Sequence, residues 1–410
     1  MNAAPSPVNS WIDIADEAAF GARTLPYGVF STDGEEPRVG VAVGEHVLDL
    51  APLAAVEGLD GAHLFAQPSL NPFLAAGSAA WAAVRGWVVE LVTEEIHREL
   101  VEPHLMPASR VTMHLPFEVA DFVDFYASQS HAENMGRFFR PDSPSLPPAW
   151  RHLPIGYHGR SATVVVSGTD VTRPSGLRKV ADVPEFGPSR RLDIEAEVGF
   201  VVGRPSQLGN PVAVPEFAEH VFGMVLVNDW SARDIQGFEA MPLGPFLGKS
   251  FATSISPWVV PLAALEHARI DPPVRDPEPA EYLRDAEPWG LDLRLEVEWN
   301  GTVVSHPPFA DMYWTPAQQL AHLTANGAAV RTGDLYASGT VSGPEADQRG
   351  SFLELSWNGS EPVELADGTT RTFLEDGDVV TVRATAPGPD GTRIGLGAVT
   401  GRITPAPSFP

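Results

Sequence analysis

Cysteine is absent from the 410 residues. Disulfides, thiolate metal sites, iron–sulfur clusters and a cysteine nucleophile are excluded together, so chemistry must rest on oxygen and nitrogen groups. Lysine is almost absent: Lys179 and Lys249 are the only two among 27 basic residues, against 53 acidic ones. The net charge of −26 repels nucleic acid and anionic membrane surfaces, and no basic patch offsets it. Long hydrophobic runs are missing too. The one membrane candidate, residues 73–92, is interrupted by Arg85 and Glu90. Trp81, Val84, Val88, Leu91 and Ile96 recur near helical spacing, so this segment reads as an amphipathic surface helix. The first residues show no basic start followed by an apolar run, which predicts a cytoplasmic protein. There is no Gly-x-Ser-x-Gly elbow and no Gly-x-x-x-x-Gly-Lys-Ser/Thr phosphate loop. The glycines of residues 394–401 precede no helix and read as tight packing, not as a dinucleotide site.

What is present fills a sizeable core: 43% of the residues are hydrophobic. Short β-like pieces at 38–43 and 46–50, with the amphipathic helix, predict a small N-terminal domain over residues 1–118. Residues 119–410 read as a larger, mainly β domain with some helix. Asn300-Gly301, Asn358-Gly359, Asp367-Gly368 and Asp376-Gly377 read there as hairpin turns. A helix is predicted at 315–327, with Thr315 as cap, Pro316 in the first turn and Gly327 as stop. The proline- and acid-rich residues 271–288 read as a surface excursion, and residues 404–410 as a loosely held tail.

The clearest chemical signal is the strand-like run 191–203, in which Asp193, Glu195 and Glu197 share one face. Side chains two apart sit roughly 6.5–7 Å apart at their bases, close enough for carboxylates to converge on a hard cation. Taken alone, an edge strand with a solvated acidic face is the simpler reading. The apolar run 220–229 ends in Asn228 and Asp229, and a carboxylate leaving a buried strand needs a partner. Asp124 is a further oxygen donor among apolar neighbours. Asp124, Glu195, Glu197 and Asp229 would together suit Mg²⁺ or Ca²⁺ rather than zinc or copper. His131 follows Ser128, which is placed to cap a helix carrying it in the first turn, where a histidine can act as general base. His152 and His158 have no metal-ligand spacing and read as structural.

DFVDFYASQSHAENMGRFFR, WRHLPIGYHGRSATVVVSGT, RLDIEAEVGF, HVFGMVLVNDWSARDIQGFEAMPLGPFLGKSFATSISPW, DLYASGTVSGPEADQRGSFLELSW and RTFLEDGD, over residues 121–378, together resemble the fumarylacetoacetate hydrolase family. TLPYGVF extends the resemblance to that family's small SH3-like N-terminal domain. The resemblance implies a mixed β-sandwich roll for the catalytic part, a homodimer, and Mg²⁺ and/or Ca²⁺ as cofactor. It implies metal ligation by Asp124, Glu195, Glu197 and Asp229, with Lys249 and Thr253 around them. It makes His131 the general base, oriented by Glu354, and has Arg233, Gln236 and Lys249 stabilise the leaving group. Substrate would be held by Tyr126, Arg140, Tyr157, Gln236 and Thr340. The implied reaction is hydrolysis of a carbon–carbon bond in a small diketo acid to fumarate and acetoacetate. One position departs: Ala240 stands where animal members carry tyrosine. Two rivals are a relative that hydrolyses an acylpyruvate or decarboxylates an oxo acid, and a non-catalytic cation-binding module that would need neither His131, Glu354 nor Lys249.

Overall fold

The computed structural model describes residues 10–14, 20–180 and 183–408. The strand Val221–Asp229 shows how the sequence sets the architecture, because every one of its residues is buried. From Met224 onward its side chains alternate between two cores, and a pairing irregularity over Val221 to Gly223 lets Phe222 join the second. Met224 and Leu226 face one core with Trp299, Phe309 and Val382, while Phe222, Val225 and Val227 face another with Tyr27, Phe73 and Trp81. A strand covered on both faces needs a continuous apolar run, which residues 221–227 supply.

This strand lies in an eight-stranded sheet. The order is Gly156–His158, Phe122–Phe125, Leu335–Ala337, Ala196–Val202, Val221–Asp229, Thr253–Ile255 and Val164–Val166, with Val260–Pro261 also paired to Val221–Asp229. Leu335–Ala337 runs parallel to Phe122–Phe125, and Thr253–Ile255 parallel to Val164–Val166; the other pairs are antiparallel. A second sheet of Thr302–Ser305, Arg294–Trp299, Val379–Pro387, Arg393–Thr404 and Val171–Thr172 packs over one face. Trp299 stacks on Phe352 there with ring centroids 3.8 Å apart. The mainly β, two-sheet expectation for the larger part therefore holds.

The N-terminal part covers the other face. Tyr27–Ser31, Arg38–Val43, His46–Asp49, Leu105–Pro107 and Thr112–Met113 form an antiparallel five-stranded sheet. The helix Ser78–Thr93 buries Trp81, Val84, Val88 and Leu91, as their spacing predicts. Ile96 corrects that stripe: it lies past the helix, in a short 3₁₀ turn, and is exposed. Among the described residues no helix is long and apolar enough to cross a membrane.

Other expectations divide in the same way. The helix Pro316–Thr324 is capped by Thr315, whose hydroxyl accepts from the Gln318 N–H, and Gly327 follows at φ 88°. Asn300-Gly301 and Asp367-Gly368 close hairpins. Asn358-Gly359 does not: the Asn358 N–H donates to the Leu353 carbonyl and ends the helix Phe352–Leu355. Asp376-Gly377 turns into Val379–Pro387 without pairing it to Thr370–Arg371, because Gly377 instead donates to Ile403. The excursion 271–288 is closed at its base by Arg269–Ile270 pairing with Gly290–Leu291. Thr404, placed in the tail by sequence, ends a strand and pairs with Thr172; Phe409 and Pro410 lie outside the described residues.

The predicted continuous strand 191–203 is broken. Leu192–Asp193 pairs with Ser231–Ala232, and Ala196–Val202 joins the central sheet. Between them side-chain oxygens replace ladder acceptors: the Asp193 carboxylate accepts from the Ile194 N–H, and the Asn228 amide oxygen from the Glu195 N–H. The break turns Asp193 away from the face it would share with Glu197.

The helix Gln129–Phe139 begins at Ser128, whose hydroxyl accepts from the His131 N–H. Gly136 lets this helix lie against the 141–150 segment, since a Cβ there would overlap the Ser145 carbonyl. Gly136→Ala should therefore shift the helix that carries His131 and cost about 1–3 kcal/mol. Urea unfolding checks this; an unchanged midpoint would contradict the close packing.

Candidate active site

Strand phase gathers the carboxylates at one end of the central sheet. Asp124 shares its face with Phe122, Glu197 with Val201, and Asp229 with Val227, all on the side toward the N-terminal part. Asp124 stands opposite Tyr157 and Asp229 opposite Thr253. Oxygens of Asp124, Glu195 and Asp229 lie within 4.8 Å of one another, and all three residues are buried. Glu197 is fully buried and close enough to Asp124, Glu195 and Asp229 for their charges to act on it.

Partners are unevenly shared. Lys249 Nζ donates to Asp229 Oδ2 at 2.6 Å and also to Glu195 Oε2. Arg233 Nη1 donates to Glu195 Oε1 at 2.6 Å and lies 3.4 Å from the Gln236 amide oxygen. Asp229 accepts from the Thr253 hydroxyl at 2.6 Å and from the Tyr157 hydroxyl at 3.0 Å. Among the described residues no donor outside the pair reaches Asp124 Oδ1 or either Glu197 oxygen, although all three are buried; the two carboxyls face one another. A buried carboxylate without a donor is costly, and an oxygen-only set of this kind fits a hard cation.

Electrostatics follow the same division. Burial, then Asp229, pushes the Asp124 carboxyl well up; burial, then Asp124, does the same to Glu197. Burial also opposes the charge on Glu195, yet Lys249 and Arg233 hold its carboxyl far below the usual range. Lys249 keeps its proton against burial because Asp229 and Glu195 face it.

A second group stands beside the cage. His131 Nδ1 lies 2.7 Å from Glu354 Oε2, with both side chains buried. Glu354 is held in turn by Asn134 at 2.9 Å, Ser351 at 2.7 Å and Ser342 at 3.1 Å. Although burial works against it, His131 and these donors keep Glu354 below the ordinary carboxylate range. Nδ1 is engaged, so Nε2 is the ring nitrogen left for a reacting proton. His131 is near enough to Glu195 that an imidazolium there would lower the Glu195 carboxyl.

Of the remaining predicted residues, Tyr126 meets the His131 ring edge-on at 5.4 Å. Thr340 is buried with its hydroxyl unpartnered. Arg140 ends the Gln129–Phe139 helix, donates to the Ser145 carbonyl at 2.7 Å and is near enough to Tyr126 for its charge to act there. Ala240 is half-buried just past the helix Arg233–Glu239. A cavity of about 370 Å³ reaches Tyr157, Asp229, Lys249 and Thr253, and its rim includes His158 and Arg160. The sequence pattern gives His158 a structural reading only and does not single out Arg160, Asn134, Ser342 or Ser351. Of these, Ser351 alone carries a usable signal, as the cap three residues before Glu354.

Buried carboxylates that could hold a metal ion, beside a carboxylate-held imidazole, are the groups a metal-dependent hydrolase would use. Comparison with known proteins agrees. Residues 121–404 match the model of the fumarylacetoacetate hydrolase C-terminal domain, and residues 23–116 that of the fumarylacetoacetase N-terminal domain. The chain belongs to the fumarylacetoacetate hydrolase family. It is 46% identical to the fumarylacetoacetase of Homo sapiens, over 97% of this chain and 99% of that protein. It is 45% identical to that of Arabidopsis thaliana, over 98% and 99%. A fumarylacetoacetate hydrolase from Exiguobacterium antarcticum shares the fold with a TM-score of 0.56 at 16% identity, over 93% of this chain and 100% of that one.

The raised carboxyls set a sign. Asp124 and Glu197 hold protons in the folded protein at pH values where the unfolded chain has lost them, so without a cation stability falls as pH rises through that interval. A bound cation replaces those protons. Mg²⁺ added to chelator-treated protein should therefore raise the unfolding temperature more at about pH 8 than at about pH 5.5. Calorimetry checks this, and an equal shift at both pH values would contradict it.

Proposed function

We propose that this chain hydrolyses the carbon–carbon bond of 4-fumarylacetoacetate to fumarate and acetoacetate, the last step of tyrosine and phenylalanine catabolism through homogentisate. The observation that carries this is the Glu354-held His131 beside a carboxylate cage with unpartnered oxygens. A carbon leaving group must depart as a stabilised enolate, which a 1,3-diketone can provide.

We assign Asp124, Glu195, Glu197 and Asp229 as the ligands of Mg²⁺ and/or Ca²⁺, with Lys249 and Thr253 fixing Glu195 and Asp229. When bound, such a cation supplies Lewis-acid polarisation of the diketone oxygens. His131 takes a proton from water, and Glu354 holds the ring and stabilises its charged form. Hydroxide attacks the carbonyl next to the fumaryl unit, the carbon–carbon bond to the acetoacetate part breaks as the tetrahedral adduct collapses, and the departing enolate takes up a proton, balancing the one given to His131. Arg233, Gln236 and Lys249 meet the negative charge that develops. Tyr126, Arg140, Tyr157, Gln236 and Thr340 hold the substrate, and Ala240 leaves that wall wider than the tyrosine of animal relatives would. The chemistry divides the chain functionally into residues 1–118 and the catalytic residues 119–410. We further propose a cytoplasmic homodimer. Exposed Met241, Leu243, Phe246 and Leu247, next to the helix bearing Arg233 and Gln236, form an apolar surface that suits a second copy.

The test is a turnover assay with Mg²⁺ present, following loss of diketone absorbance and appearance of fumarate, with an acylpyruvate and oxaloacetate alongside. Fumarylacetoacetate should be the preferred substrate; preference for either other compound overturns the reading. His131→Ala should lower kcat by roughly 10²-fold or more while Mg²⁺ binding stays within about twofold by calorimetry. Loss of metal binding in that variant would contradict the base role.

A further inference from the structure

We infer that Asp193 is a positioning residue that ties the base side of the site to its anion-stabilising side; this role rests on the function proposed above. Asp193 is fully buried and does not join the carboxylate triad. Its Oδ2 accepts from Arg233 Nε at 2.8 Å and from the Leu353 N–H at 3.1 Å. Its Oδ1 accepts from the Ile194 N–H at 2.8 Å and the Phe352 N–H at 2.7 Å. Four donors thus converge on one carboxylate.

These donors lead in two directions. Phe352 and Leu353 open the short helix Phe352–Leu355, and the next residue is Glu354, which orients His131. Arg233 presents a second nitrogen, Nη1, to Glu195 at 2.6 Å. A single side chain therefore fixes where the imidazole points and where the guanidinium stands, without touching substrate. Geometry errors of a fraction of an ångström in such supporting residues are expensive in rate. The break in the 191–203 segment is what makes this possible, since a continuous strand would aim Asp193 into the cage.

Asp193→Asn keeps the shape but turns an NH₂ toward two donors, whichever way the amide lies. In the full-length enzyme with saturating Mg²⁺ it should lower kcat roughly 10- to 100-fold, with KM and Mg²⁺ affinity within about threefold of the parent. In a Glu354→Gln background the same change should cost at least about threefold less than in the parent, because the path through Glu354 is already cut and only the one through Arg233 remains. Equal penalties in both backgrounds, a parent-like kcat, or a kcat restored by excess Mg²⁺ each overturn the role. Should Asp193→Asn fail to fold, Asp193→Glu carries the test: it retains the charge but moves the carboxylate by one methylene, and a parent-like kcat would refute positioning. A parent that does not turn over fumarylacetoacetate removes the functional reading and this role with it, whereas an active parent with an equally active Asp193→Asn removes this role alone.

Discussion

Four carboxylates buried at one end of a sheet, offset among the described residues chiefly by Lys249 and a shared Arg233, are the constraint on which the rest of the structure depends. Two like charges in a low-dielectric interior repel strongly, and removing each from water is costly besides. The chain absorbs part of this by hydrogen bonds to Glu195 and Asp229. It leaves Asp124 and Glu197 facing one another with both carboxyls pushed up, so that without a cation they keep protons that a divalent cation would displace.

The fold makes that concentration tolerable. The central sheet is covered on both faces, so its strands are rigid and their side-chain phase is fixed by two cores. The apolar residues of Val221–Asp229 and Ala196–Val202 anchor the strands, and the carboxylates occur only where those strands end. The groups assigned to the proposed catalysis come from shorter elements outside the sheet: His131 from a capped helix, Glu354 from a one-turn helix, Arg233 from the helix after Ser231–Ala232. Hydrogen bonds to Glu354 and Asp193 connect these elements, so the site is held by polar contacts on an apolar frame. The strongly acidic surface outside matters less to an anionic substrate, because exposed charges beyond roughly 8–10 Å are screened at physiological salt.

Much of this is legible in the sequence where one local rule decides the outcome. Ser128 and Thr315 cap the helices they are expected to cap, the stripe from Trp81 to Leu91 faces the core, and Asp124, Glu195 and Asp229 meet. Local pattern fails where a partner distant in sequence overrides it. Alternation places Asp193 with Glu195 and Glu197, but backbone donors at Phe352 and Leu353 and the Arg233 guanidinium draw it aside. Asn358-Gly359 carries a hairpin signature, yet the preceding helical turn uses its positive φ values as an exit. Asn134 and Ser342 have no signal of their own, since their function exists only once Glu354 has been brought beside them.

The central claim is that the unpartnered oxygens of Asp124 and Glu197 belong to a cation site shared with Glu195 and Asp229. Anomalous diffraction from crystals soaked in Mn²⁺ tests it most directly. The account predicts one strong anomalous peak within coordination distance of all four carboxylates, with His131 still paired to Glu354. A cage holding Lys249 Nζ and no peak, or a peak bound elsewhere, would contradict it.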